Sequence, residues 1–235
     1  MKTQTLQKFN ILGHEVFQFL DENCNYYEAR NLLYYDYLTI TPFLPKGEIH
    51  YVDIGARNGD SIRELVPSKD RVKSVVCFEP NPEEFEKLKI VAEKNSLESS
   101  LHQFAISEKS GTLEFVWNEE ERNGGLKNET SLSQSWGSEK KFKCLCWEDF
   151  DEDLKIKLAQ ANFIKVDTEG SDIESLMQLE SVIKKNKPTI LMEWFPRTEQ
   201  KISGFCKNFQ YQAIDPETRR PPTKWCHNLI LIPVK

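Results

Sequence analysis

The stretch IHYVDIGARNGDS (49–61) decides the architecture. Six residues, 49–54, are apolar but for His50 and Asp53, which is the pattern of a strand buried on both faces. The run then breaks at Gly55 and again at Gly59, with Asp60 or Ser61 placed to cap a short helix. The same grammar follows at once. SVVCF (74–78) is a second buried strand, Asn81 is a helix cap, Pro82 takes the first helical position, and Glu83 and Glu84 suit the positive end of the helix dipole. Phe85, Leu88, Val91 and Ala92 give that helix one apolar face.

Working outward, LHQFAI (101–106) reads as a third strand. TLEFVW (112–117) and KFKCLCW (141–147) alternate in polarity, as half-exposed strands do, and they flank a long polar loop at 117–141. NFIKVD (162–167) leads into Ser171-Asp172 and a helix burying Ile173, Leu176 and Met177, and PTILMEW (188–194), FQYQAI (209–214) and NLILIPV (228–234) close the chain as strands. Strand and helix in alternation predict an α/β doubly wound sheet. The last two strands lack a long helix between them, which predicts an antiparallel hairpin at one edge. Upstream, Tyr26, Tyr27, Leu32, Leu33, Tyr34, Tyr37 and Leu38 recur at helical spacing, so residues 1–45 read as an N-terminal helical extension or lid and 46–235 as the main domain.

Composition bounds the function. The chain has 235 residues, a formal charge of −6 and 39% hydrophobic residues, with a pI near 5.4. That is enough apolar surface for a sizeable core and gives no global attraction to nucleic acid or anionic membrane. No apolar run reaches the roughly 18 residues a membrane helix needs. The cysteines at 24, 77, 144, 146, 206 and 226 form no CxxC pair, and His14, His50, His102 and His227 are not at metal-ligand spacings, so no metal site is expected from them. The reading is a soluble, cytoplasmic protein with no nucleic-acid partner.

In an open α/β sheet, ligands bind beyond the carboxyl ends of the strands. Three groups of residues sit there. The first is Asp53-Ile-Gly-Ala-Arg-Asn-Gly59, a glycine turn that allows close backbone approach. Its G-x-x-x-G spacing is not the dinucleotide fingerprint. The second is Glu79 with Pro80, an acid placed to accept hydrogen bonds from a ribose diol. The third is Asp167, Glu169 and Glu193, carboxylates of neighbouring strand tips that can serve as a general base, cradle a cation or bind a metal. Acids without a pyrophosphate loop favour a nucleoside ligand carrying positive charge, and S-adenosylmethionine has that character.

DIGARNGDS, CFEPNPEEFEKLK, FAISEKSGTLEF, the Ser131-Leu132 segment before KFKCLCWEDF, and IKVDTEGSDIESL together resemble the FkbM family of methyltransferases, in the same order over about residues 45–195. The resemblance implies a class I methyltransferase fold: a Rossmann-like, mostly parallel seven-stranded sheet with an antiparallel edge strand. It also implies S-adenosylmethionine as cofactor and O-methylation of a hydroxyl on a sugar or other small molecule. Carried over by position, Asp53, Gly55, Asn58 and Gly59 match the first motif, Glu79 and Pro80 the ribose-binding acid, Ala105 and Ile106 the adenine-flanking segment, and Asp167, Glu169 and Gly170 the D-x-E-G motif. With Glu193, Asp167 and Glu169 are the candidate catalytic residues. Arg57 stands where the family has asparagine directly after Gly-Ala. Two other readings compete: a non-catalytic nucleoside-binding relative, and a nicotinamide-dependent oxidoreductase, which the missing G-x-G-x-x-G disfavours.

Overall fold

A computed structural model describes residues 3–118, 123–126, 138–222 and 228–234. Ser131-Leu132, Cys226 and His227 lie outside the described residues.

The strand predicted at 49–54 is β3 (Ile49–Ile54), and it is central because both its faces are apolar. Ile49, Tyr51, Val52 and Ile54 are each no more than 2% exposed. The chain opens with a hairpin, β1 (Gln4–Ile11) and β2 (His14–Asp21), followed by α1 (Tyr26–Ile40). After β3 come β4 (Val72–Phe78), α2 (Pro82–Lys94), β5 (Ser99–His102), β6 (Ala105–Ile106), β7 (Gly111–Asn118), β8 (Asn123–Leu126) and β9 (Ser138–Leu145). The second half adds α3 (Glu152–Leu158), β10 (Phe163–Val166), α4 (Asp172–Met177), α5 (Glu180–Asn186), β11 (Thr189–Glu193), α6 (Glu199–Phe209), β12 (Tyr211–Ile214) and β13 (Asn228–Pro233).

Seven strands form the main sheet in the order β12-β13-β11-β10-β3-β4-β5. β10 and β4 flank β3 in parallel, with Ile54 level with both Val166 and Phe78. Chain order runs outward in opposite directions from β3 and β10, so their carboxyl tips form the switch point where a crevice opens. One apolar cluster covers each face of the sheet, with Val52, Ile54, Val76 and Phe78 on one side and Ile49, Tyr51, Val75 and Cys77 on the other. This is the period of two that a doubly covered strand needs. α2 forms as expected: Asn81 accepts from the Glu83 amide, Pro82 opens the helix, and Phe85, Leu88, Val91 and Ala92 are buried.

Four expectations are corrected. The first is the all-helical N-terminal extension. Tyr26–Ile40 is α-helical and Thr41–Phe43 adds a 3-10 turn, whereas residues 4–21 pair as a hairpin whose turn, Leu12-Gly13, has positive φ at both residues. Alternation in QKFNI and EVFQF, which buries Phe9, Ile11, Val16 and Gln18, outweighs the helical spacing further along. Second, the antiparallel strand is not the edge strand. β13 lies one in from the edge and pairs antiparallel with both β11 and β12, the latter pair being the expected hairpin. Third, LHQFAI is two elements. β5 continues the main sheet beside β4, and the chain then leaves so that β6 joins β9 in a four-stranded sheet, order β6-β9-β7-β8. Fourth, the 117–141 loop contains β8, paired with β7. Among the described residues, no helix is long and apolar enough to cross a membrane.

Candidate functional site

The carboxyl tips of β3, β4, β10 and β11 open into a cavity of about 680 Å³, walled on its far side by the N-terminal hairpin and α1. Its floor is set by the turn after β3. The amides of Gly55 and Ala56 both donate to the Phe78 carbonyl at 3.0 Å, which folds the chain sharply over β4. Gly55 has φ +85°, and a Cβ there would collide with the backbone carbonyl of Asp167. Only glycine allows the β3 and β10 tips to close to this distance. Gly59, with φ +89°, is likewise pressed against Val91.

Beneath that turn lies an ion-pair network. Asp53, fully buried, accepts a hydrogen bond from the Ser61 hydroxyl, and its other oxygen lies 3.4 Å from Lys165 Nζ. That hydroxyl is therefore turned to Asp53, away from the helix-capping role open to it in the sequence, and Ile62–Arg71 is a 3-10 helix without a side-chain cap. Lys165 also donates to the Gly55 carbonyl at 2.9 Å and lies 3.4 Å from Asp167. One ammonium thus ties together the tips of β3 and β10. Burial pushes the Asp53 carboxyl up, and the Lys165 charge opposes it.

At the tip of β4, Glu79 is 6% exposed. Its two oxygens accept the amides of Arg57 and Asn81, each at 2.8 Å. Burial raises its pKa to about 7 against the pull of those two amides. Each carboxylate oxygen has a second lone pair, so the group can still accept from a diol in the cavity. Arg57 reaches this contact in the left-handed region, φ 49°, through its backbone rather than its side chain.

Asp167, Glu169 and Glu193 converge on the opposite wall, with one oxygen from each within 4.8 Å of the others. The tight turn from β10 to α4 achieves this. Asp172 accepts from the Thr168 amide and hydroxyl, and Glu169 takes a left-handed φ of 58°. Like charges this close do not all ionise. Burial, then the Asp167 charge, raises Glu169 to about 7. Burial, then the charges of Asp167, Glu169 and Asp172, raises Glu193 to about 9. At neutral pH, Glu193 therefore holds a proton. The trio has the oxygen donors to hold a cation.

The fourth wall was not legible in advance. Gln18 of β2 donates to Asp60, and Arg63 bridges Asp60 at 2.8 Å to Asp36 of α1 at 3.5 Å. Asn95, at the end of α2, both donates to and accepts from the Phe17 backbone, which pins the hairpin to the main domain. Asp36, the acid that interrupts the apolar spacing of α1, was the sequence signal for this wall.

Of the expected site residues, Gly55, Asn58, Glu79, Pro80, Ala105, Ile106, Asp167, Glu169 and Glu193 line the cavity. Asp53 and Gly59 do not; they support it from below. Asn58 turns its side chain toward Gln18 and Asp60. Lys165 pairs with Asp53 and Asp167 rather than with Glu169 or Glu193, and Arg197 meets the Glu169 carbonyl while stacking on Phe195.

The Methyltransferase FkbM domain model matches residues 53–217, 165 of the 235 residues. The chain belongs to the FkbM methyltransferase family. No curated protein matches it. Among solved structures, this family member is similar to methyltransferase FkbM from Methylobacillus flagellatus KT, with a TM-score of 0.52 and 16% identity over 88% of this chain and 55% of that one. It also matches an S-adenosylmethionine-dependent methyltransferase from Clostridium acetobutylicum ATCC 824 (TM-score 0.49, 8% identity, 91% and 94% covered). A third match is the Pyrococcus abyssi tRNA (uracil-54, C5)-methyltransferase in complex with S-adenosyl-L-homocysteine (TM-score 0.46, 11% identity, 97% and 43% covered). The chain spans about half the length of the Methylobacillus and Pyrococcus chains. At these identities the first likeness bears on the fold, which is that of a mostly parallel α/β methyltransferase sheet.

The raised carboxyls carry a stability prediction. A group whose folded pKa is raised stabilises the fold below its unfolded pKa, and that contribution is lost as pH rises through the folded value. For Glu193 that window ends at about pH 9. The melting temperature of the ligand-free protein is expected to fall between about pH 6 and 8.5, and Glu193→Gln to retain about 1–2 kcal/mol of the lost stability, after solvent screening is allowed for. That corresponds to about 2–6 °C at the higher pH, measured by calorimetry.

Proposed function

We propose that this FkbM-family chain binds S-adenosylmethionine across the β3–β4 side of the cavity and transfers its methyl group to a hydroxyl oxygen of a small-molecule or carbohydrate acceptor. The observation that carries the reading is Glu79. A carboxylate at the tip of the second sheet strand, oriented by two backbone amides and facing the cavity, suits a ribose diol. The residues present also fit the rest of the cofactor. The Gly55 turn lines the cavity where the β3 and β10 tips approach closely, Ala105 and Ile106 offer an apolar edge for adenine, and the acid-rich walls suit a cationic ligand.

When bound, the cofactor supplies an electrophilic methyl on sulfur, whose C–S bond breaks with the electron pair going to sulfur as the O–C bond forms. The chain positions the acceptor and takes its proton. Asp167 is the group we assign to that proton, since Glu193 already holds one. Lys165 fixes Asp167 from below, and Glu169 and Glu193 orient the acceptor. The sulfonium charge is lost during transfer, so a carboxylate is better used beside the acceptor than beside sulfur.

The test is transfer of labelled methyl from S-adenosylmethionine to a hydroxylated acceptor, followed for wild type and Asp167→Asn. The variant is expected to lose about 10²–10⁴-fold in turnover, the range for a general base, while its affinity for S-adenosylhomocysteine changes less than about threefold. A collapse of cofactor affinity with unchanged turnover at saturation would reassign Asp167 to cofactor binding.

A further inference from the structure

Two side chains of the fourth wall carry hydrogen-bonding atoms that neither the fold nor the methyl-transfer chemistry uses. Gln18 of β2 is 2% exposed and lines the cavity, and its side-chain carbonyl oxygen is buried without a partner. Arg63, in the 3-10 helix Ile62–Arg71, lines the cavity as well. Its side chain is 11% exposed, and its Nε–H is buried without a partner. One atom is an acceptor and the other a donor. They are neighbours, because the Gln18 amide nitrogen and Arg63 Nη1 donate to the same oxygen of Asp60, Oδ1. Arg63 Nη2 is turned to Asp36 at 3.5 Å, so the guanidinium is held at both ends and Nε is left over.

A buried donor or acceptor without a partner is costly, and a ligand that supplies the complement recovers that cost. An anion would satisfy Arg63 and leave the Gln18 oxygen bare; a cation would do the reverse. A zwitterionic α-amino acid group, whose ammonium and carboxylate stand on one carbon, satisfies both at once. The place is also contiguous with the ribose site. A single turn links them: the Arg57 amide meets Glu79 at 2.8 Å, Asn58 turns its side chain to Gln18 and Asp60, and Asp60 holds Gln18 and Arg63.

We infer that Gln18 and Arg63 hold the amino-acid end of S-adenosylmethionine, the Gln18 carbonyl oxygen accepting from its ammonium and the Arg63 Nε–H donating to its carboxylate. Asp60 positions both side chains and places a negative charge beside the ammonium. Gln18 lies outside residues 53–217, so the N-terminal hairpin is part of the cofactor site and not only a cover over it. The consequence is selectivity: the wall favours a nucleoside that keeps its amino acid over one that has lost it. This assignment rests on the cofactor reading and adds the residues that select the cofactor's amino-acid end.

The experiment titrates the purified protein with three ligands by calorimetry. They are S-adenosylhomocysteine, its decarboxylated analogue S-adenosyl-3-thiopropylamine, and 5′-methylthioadenosine, which lacks the whole amino acid. Each loss is expected to weaken binding by about 10-fold or more. Arg63→Lys keeps the charge between Asp60 and Asp36 but has no Nε–H, and it is expected to bring the ratio of the first two ligands toward one. Gln18→Met keeps the size without the acceptor, and it is expected to lower the ratio of the second to the third by about 10-fold. Both variants are expected to bind 5′-methylthioadenosine within about threefold of wild type, which separates lost recognition from lost fold. Wild-type ratios near one, a ratio that persists in its variant, or variants that lose 5′-methylthioadenosine to the same degree as S-adenosylhomocysteine would each overturn the proposal while leaving the cofactor reading standing. Wild-type protein that binds none of the three would overturn both.

Discussion

Glu79→Gln is expected to weaken S-adenosylhomocysteine binding by about 100-fold or more. The change preserves size, yet each carboxylate oxygen of Glu79 accepts a backbone amide, from Arg57 and from Asn81. An amide side chain has one oxygen, so its NH2 must face one of those N–H groups, donor against donor. The turn carrying Arg57 or the one carrying Asn81 then has to move, and the diol-binding geometry moves with it. Two hydrogen bonds to a charged acceptor contribute about 1.5–3 kcal/mol each, and losing them accounts for the expected factor. Glu79→Asp keeps the charge one methylene short and is expected to fall between the two. Titration calorimetry of the three proteins measures this directly. Equal affinities across the series would place the ribose elsewhere.

The second large effect is expected from Gly55→Ala, and it is an effect on the fold as well as on the pocket. A left-handed φ costs a non-glycine residue about 1–2 kcal/mol, and the new Cβ would also meet the Asp167 carbonyl. Relief requires the tips of β3 and β10 to part, which disturbs the contacts of Lys165 to Gly55, Asp53 and Asp167 together. We expect a loss of about 3–5 kcal/mol in stability, or about 6–20 °C in melting temperature, and loss of S-adenosylhomocysteine binding. Gly13→Ala is the matched control. Gly13 has the same φ, +85°, but open space around it, so only the backbone cost applies and the expected fall is about 2–8 °C. Similar melting temperatures for the two variants would contradict the close approach at Gly55.

The strand tips were legible because a buried parallel strand announces itself as a continuous apolar run ended by glycine or an acid. IHYVDIG, SVVCFEP and IKVDTEG each end in that way, and their tips build the floor of the cavity. Asn81 and Pro82 fixed the start of α2 through local chemistry alone. What failed to show were relations between distant segments. Whether Asp53 faces a ligand or Lys165 depends on the register of β3 against β10, which places the two side by side. The hairpin was hidden by the stronger helical spacing of residues 26–38 beside it. The split of LHQFAI depends on β9, some forty residues later, offering β6 a partner. The wall formed by Gln18, Asp36, Asp60 and Arg63 joins three segments by single polar contacts, and no periodicity marks such a contact.

The central claim is that the cleft at the tips of β3 and β4 is an S-adenosylmethionine pocket. Titration of the purified protein with S-adenosylhomocysteine tests it most directly, at about pH 8 and again at about pH 6. The account predicts a micromolar dissociation constant, about 8 kcal/mol, that weakens at the lower pH by up to about tenfold. The weakening follows because Glu79, raised to about 7 in the free protein, must then lose a proton before it accepts the diol. Folded protein that releases no heat and shows no shift in melting temperature with the ligand at either pH would contradict it.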